Sequence, residues 1–235
     1  MAHSVSAQAA TTAPTGRRRA VIHKALIAAA AVAVAAALLG TFSYLHRSPT
    51  DLGSGHNAVS QGLLSHWQAG DVIMMVRHAE RCDRSSNTCL GPADGITQLG
   101  SETSTTVGQA LKTLGMGHAD VLTSPTTRTA QTAQYMFGQG IAAPEWLANC
   151  DTSLLQNAIA HKVPERNLVT VTHSGCIGHV EKQLGYPHAA GAEYNSALVL
   201  TLDEHGKAVI LGVINADAWP KALAQLQLTA KQNNL

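Results

Sequence analysis

The order of apolar and polar positions divides the chain into two regimes. Residues 25–45 read ALIAAAAVAVAAALLGTFSYL, a run with no charge and no polar face. About 20 such residues in a helix span the hydrocarbon core of a bilayer. From Asp71 onward, short apolar runs alternate with stretches of helical period. DVIMMV and NLVTVTHS have the near-continuous apolar character of strands buried on both faces, and HADVLTS predicts a further strand. The spacing predicts a helix entered at Thr97 and running to Leu114, and another over TTRTAQTAQYMFGQG that stops at glycine. A third is predicted over GCIGHVEKQLGY. SALVLTLDEHGKAVILGVI predicts two strands around a turn at Glu204, His205 and Gly206. Asp217 onward, with Pro220 near its start, predicts a terminal helix that covers a sheet edge.

Strands alternating with helices and finishing in a hairpin imply an α/β fold, a three-layer α/β/α sandwich around a mostly parallel mixed sheet. His46 to about Gly62 is rich in Ser, Gly, Pro and Asn and reads as a tether. The expected organisation is a basic cytoplasmic N-terminus over 1–24, an apolar membrane segment over 25–45, a tether over 46–66 and a folded domain over 67–235. Arg17, Arg18, Arg19 and Lys24 flank the apolar run, and the positive-inside rule keeps such a flank cytoplasmic. Tyr44 and His46 fall where an interfacial anchor would sit. The alternative is a cleavable signal peptide, whose apolar core is shorter, about 7 to 15 residues. Either reading exports the domain.

Charge changes this picture little. The net charge is +1 and charged residues are 13% of the chain, which gives no basis for nucleic-acid binding. Cysteine use agrees with export. Cys82, Cys89, Cys150 and Cys176 all follow the apolar run, and an even count in an exported domain points to two disulfides. Of the three possible pairings, Cys82 with Cys89 and Cys150 with Cys176 is favoured. No CxxC or HxxxH spacing supports zinc, and neither a metal nor a cofactor is expected.

The chemistry gathers at strand ends. After the first predicted strand come Arg77, His78, Glu80 and Arg81. The second is followed by SPTTR with Arg128, and the third ends in His173 and Ser174. In open α/β sheets, functional groups collect in the crevice at the carboxyl ends of strands, so these segments are expected to converge. Guanidinium groups match phosphate oxygens in paired hydrogen bonds. Their charge lowers the pKa of His78 below its ordinary value of about 6.5. A neutral imidazole so placed can attack phosphorus and form a phosphohistidine, while the cations stabilise the transition state without a metal. Ser174 lacks the GxSxG context of a serine hydrolase, and the glycines at 91, 95 and 100 lack the GK[ST] of a P-loop.

VRHAER, SPTTRTAQTA and THSG resemble the signature segments of the histidine phosphatase superfamily, the phosphoglycerate-mutase-like phosphatases, over about Asp71 to Ile214. RHAERCDRSSNTCL followed by GIT resembles more narrowly the Ais-type lipopolysaccharide core heptose(II)-phosphate phosphatases. The resemblance implies that His78 is the nucleophile, and that Arg77, Arg81, Arg128 and His173 form the phosphate pocket; the Ser174 hydroxyl, read by itself, caps the next helix or touches phosphate. It also implies a general acid after the second helix, where APEWLANCDTS offers Glu145 and Asp151. Asp151 is the choice, although it could instead cap a helix starting near Thr152. Glu80 and Asp83 remain candidates. The implied protein is a periplasmic, membrane-anchored phosphomonoesterase acting on heptose phosphate of the lipopolysaccharide core. The alternatives are the same chemistry on another periplasmic phosphate ester or a phosphorylated lipid carrier, or a silent phosphate-binding module.

Overall fold

The computed structural model describes residues 15–45, 47–138 and 141–233. Residues 1–14 of the basic N-terminus and the expected anchor His46 lie outside the described residues, as does the side chain of Tyr44. The chain divides into two units, Met1–Leu45 and His46–Leu235.

The first unit is one helix, α1 (Thr15–Leu45). Within it Val21–Ser43 has 23 residues and a mean hydropathy of 2.3, enough to cross a membrane by length and composition. At 1.5 Å per residue that stretch covers about 35 Å, against about 30 Å of hydrocarbon. Leu26, Ile27, Val32 and Leu39 are all exposed along it, although they are apolar.

The second unit begins with α2 (Asn57–Ser60) and α3 (Leu63–Ala69), then β1 (Val72–Arg77), α4 (Gln98–Leu114), β2 (Ala119–Thr123) and α5 (Thr127–Phe137). It continues with α6 (Leu154–His161), β3 (Asn167–Thr172), α7 (Ser174–Gln183), β4 (Ala197–Leu202), β5 (Ala208–Ile214) and α8 (Trp219–Asn233). The sheet order is β2-β3-β1-β4-β5. β1 is parallel to β3 and β3 to β2, whereas β4 is antiparallel to both β1 and β5. Four strands therefore run one way and β4 alone runs against them.

β1 sits at the centre because both of its faces are apolar. Val72, Met74 and Val76 join one core with α2, α3, α4, α5 and α8. Ile73 and Met75 join the other with α6 and α7. This is the expected three-layer sandwich. α4 is capped by the Thr97 hydroxyl, which accepts from the Gly100 amide at 2.9 Å. α5 stops at Gly138, whose φ of 100° suits glycine. Gly108 lets α4 and α5 touch backbone to backbone, since a Cβ there would lie 2.3 Å from the Met136 carbonyl oxygen. That close approach fixes α5 against α4. Both disulfides form as favoured, Cys82 with Cys89 and Cys150 with Cys176.

Two expectations need correction. The stretch over 46–66 is not a tether: Leu52, Ala58 and Leu63 are fully buried, and two helices begin within it. Its Ser, Gly and Asn residues make turns between those apolar anchors, which composition cannot distinguish from a linker. The folded unit thus starts well before residue 67. The sheet edge is also covered differently. The Leu52 amide donates to the Val213 carbonyl and the Val213 amide to the Thr50 carbonyl, each at 2.8 Å, so this segment lines the β5 edge. α8 lies on the face instead, through Trp219, Ala222 and Leu226.

Candidate functional site

The order β2-β3-β1 places the ends of those three strands side by side, and each carries one of the chemical segments. Neighbouring strands stand about 4.8 Å apart, so side chains far apart in sequence come within contact range. His78 follows β1 directly and is only 3% exposed. Its amide donates to the Thr172 carbonyl at the end of β3, at 2.9 Å. The next amide, of Ala79, donates to the Thr132 hydroxyl on α5, also at 2.9 Å. The nucleophile candidate is thus fixed from both sides.

Its ring orientation follows from one bond. His78 Nδ1 lies 2.8 Å from the Ala79 carbonyl, which can only accept, so Nδ1 carries the proton. In the neutral ring the lone pair is then on Nε2. Burial is the main cause that pushes the imidazole down to about 3, opposed by the Ala79 bond and aided by the charges of Arg128, His173 and Arg77. The direction matches the sequence expectation and the cause does not. Arginine charge is secondary to desolvation, which a sequence does not display.

His173 faces His78 edge-on, with ring centroids 5.5 Å apart. Arg128 Nη2 donates to His173 Nδ1 at 3.2 Å, and His173 Nε2 lies 3.0 Å from the Ser124 hydroxyl. Arg128 cannot accept, so Nδ1 must, and the proton of this ring is on Nε2, donated to Ser124. Burial, followed by Arg128 and Arg81, lowers His173 to about 4. Arg77 stacks on Tyr194 with Cζ 3.8 Å from the ring centroid and donates Nη1 to the Ala192 carbonyl at 2.6 Å. The buried Nε atoms of Arg77 and Arg128 have no hydrogen-bond partner among the described residues. Their unused donors are suited to the oxygens of an anion.

Arg81 reaches the same region, since its charge acts on His173, Arg77 and Arg128. Its fork, however, is already held by Asp83, with Nε 2.7 Å from Oδ1 and Nη2 bonded to Oδ2. Arg81 is therefore already paired in this structure. Ser174 opens α7 beside His173, and its hydroxyl makes no hydrogen bond among the described residues.

The choice of Asp151 as general acid is not carried by its geometry. Its carboxylate accepts from the Ser153 amide at 2.8 Å and the Ser153 hydroxyl at 2.7 Å, just before α6. Those bonds hold its pKa below the ordinary carboxylate range. Nor does it cap a helix near Thr152, since α6 begins at Leu154 with Ser153 before it and no side-chain cap. Glu80 is similarly engaged: Ser85, Asn87 and Thr97 all donate to it, which ties down the loop between β1 and α4. No group of three or more His, Cys, Asp or Glu suited to a metal occurs among the described residues.

Sequence reading missed Ser124, Tyr194 and Asn195. Ser124 stood inside the quoted SPTTR segment, but its full burial beside His173 shows only in the structure. Tyr194 and Asn195 had only a weak sign, an aromatic just ahead of an apolar strand.

Two solved structures share this architecture. One is a protein histidine phosphatase SixA with tungstate, at a TM-score of 0.50 and 19% identity over 62% of this chain and 97% of that one. The other is a phosphoserine phosphatase variant from Entamoeba histolytica with phosphoserine, at 0.51 and 14%, over 63% and 98%. The chain has the histidine phosphatase fold. Within that fold, sequence similarity narrows further. Lipopolysaccharide core heptose(II)-phosphate phosphatases of Salmonella typhi and Salmonella typhimurium are each 32% identical over 114 residues, 47% of this chain. The chain spans about half the length of these curated relatives, 56%. No protein-family model matches it.

Proposed function

We propose that the protein is a metal-independent phosphomonoesterase that works through a phosphohistidine on His78. The observation that carries this reading is the Nδ1 bond to the Ala79 carbonyl, which leaves Nε2 as the free, unprotonated nitrogen of a buried ring beside the guanidinium groups of Arg77 and Arg128. Nε2 attacks phosphorus as the bond to the ester oxygen breaks, and that oxygen takes a proton from solvent at the rim. Water then attacks the phosphohistidine, giving inorganic phosphate and the free ring. Arg77 and Arg128 hold the phosphoryl oxygens, with His173 directing Arg128 through Nδ1, Arg81 at the edge and the Ser174 hydroxyl available beside them. The charge they supply is fixed in place before the reaction begins.

The substrate in this reading is phosphate on heptose of the lipopolysaccharide core. The sequence similarity to phosphatases of that name supports it. The apolar helix fits an anchor, or an export signal, for a domain working in the periplasm close to the membrane.

Full-length protein in detergent, under oxidising conditions, should hydrolyse an aryl phosphate at a rate that a chelator leaves unchanged. His78→Ala should abolish turnover. A strain lacking the protein should carry one more phosphate on its core oligosaccharide by mass spectrometry. Tungstate binding with no turnover between pH 4 and 9 would instead indicate a silent binding module. Turnover in vitro with an unaltered core oligosaccharide would point to another phosphate ester.

A further inference from the structure

Arg77 is held by one short segment, 192–196, which lies between α7 and β4. Nη1 donates to the Ala192 carbonyl at 2.6 Å. The guanidinium face lies on the Tyr194 ring, with Cζ 3.8 Å from its centroid. The Arg77 amide donates to the Ser196 carbonyl at 2.9 Å, and the Asn195 amide donates to the Arg77 carbonyl at 3.2 Å. Side chain and backbone are therefore gripped by the same turn. The turn itself has an unusual shape, because Asn195 is at a φ of 57°, in the left-handed region that asparagine tolerates better than most residues. Asn195 is buried, and its Oδ1 lies 3.0 Å from the Ser104 hydroxyl on α4, which anchors the turn to the helix layer. The same Tyr194 ring stands 5.8 Å from the ring of His78.

We propose that Tyr194 is a positioning residue of the oxyanion pocket. Its ring face sets the plane of the Arg77 guanidinium against His78, and the 192–196 turn is the clamp that holds that ring in place. An arginine side chain has several rotatable bonds, and ordering them costs binding energy when it happens only on contact with the anion. Here one nitrogen is spent on Ala192 and the face on Tyr194. The remaining donors, Nε among them, are left in a fixed direction. Paired donation to a tetrahedral oxyanion depends on that direction, because a guanidinium turned about its own plane presents one donor instead of two. The proposal deepens the phosphatase reading and rests on it.

The test uses full-length protein in detergent with tungstate as the probe, followed by calorimetry, together with turnover of an aryl phosphate. Tyr194→Phe keeps the ring face and should bind tungstate within about twofold of wild type. Tyr194→Leu should weaken binding by roughly tenfold, on the scale of a partly desolvated cation–π contact. In an Arg77→Ala background the same Leu substitution should add nothing further. An isosteric series with increasing ring fluorination at 194 keeps the shape and removes the negative ring face, so affinity should fall stepwise even if the Leu variant folds poorly. A Leu effect of equal size with and without Arg77 would overturn the proposal. So would a Phe variant as weak as Leu, or a fluorinated series with flat affinity. Wild type that fails to bind tungstate would remove the phosphatase reading itself, and the clamp with it.

Discussion

Arg128 shows how one side chain serves two purposes. Through Nη2 it fixes the tautomer of His173, and its charge helps keep His78 neutral. Its own position comes from the first turn of α5. Arg128→Ala should cost on the order of 2–4 kcal/mol in kcat/KM, the scale of a preorganised donor to developing charge. An unchanged rate would remove Arg128 from the pocket. At this scale the sequence conveyed residue type and motif, and so His78, Arg77, Arg128 and His173 were legible. It did not convey which partner each side chain meets. Asp151 had the right chemistry in the right segment, yet the nearer donors of Ser153 take its carboxylate. Tyr194 had only the weak local sign of an aromatic before a strand, because its role depends on the chain just before β4 lying against the end of β1.

Among the elements, α7 is the most constrained near the site. It starts directly after His173, and Cys176 in its first turn is bonded to Cys150, ahead of α6. Closing a loop with a sequence separation of 26 restricts the unfolded chain and is worth roughly 3 kcal/mol in a chain-entropy account. Replacing Cys150 and Cys176 together by serine should lower the unfolding free energy by about that amount and the urea midpoint with it, with the Cys82–Cys89 bond left intact. Equal midpoints for the variant and wild type would show that packing of α7 on the sheet holds it without the bond. The helices and strands themselves were largely legible. β1 and β3 announce burial on both faces, while the Thr97 cap and the glycine after α5 mark helix ends. The segment over 46–66 was not legible, because its polar turns outnumber the few apolar residues that fix it to the core.

Over the whole molecule, buried titratable groups give stability two opposing pH dependences. His78 and His173 titrate at about 3 and about 4 when folded, below their ordinary value, so the stability they support is present above about pH 6.5 and is lost as pH falls toward those values. Glu181 on α7 behaves oppositely. It is 3% exposed beside a cavity of about 200 Å³, and burial raises its carboxyl to about 7. Its contribution is full below about pH 4.5 and is lost as pH rises through 7. Glu181→Gln should therefore raise stability at pH 8 by on the order of 2 kcal/mol, discounted for solvent in the cavity, and leave it unchanged at pH 4.5. Urea titrations of both proteins at the two pH values check this, and equal midpoints at pH 8 would contradict it. The sequence by itself determined the apolar helix, the strand and helix order and the candidate groups of the site, because each depends on residue type and local period. Only the tertiary structure decided which nitrogen of His78 is free, that burial rather than charge keeps it neutral, and that Tyr194 stands against Arg77. Those features arise where strands distant in the chain lie side by side, and no local pattern encodes that neighbourhood.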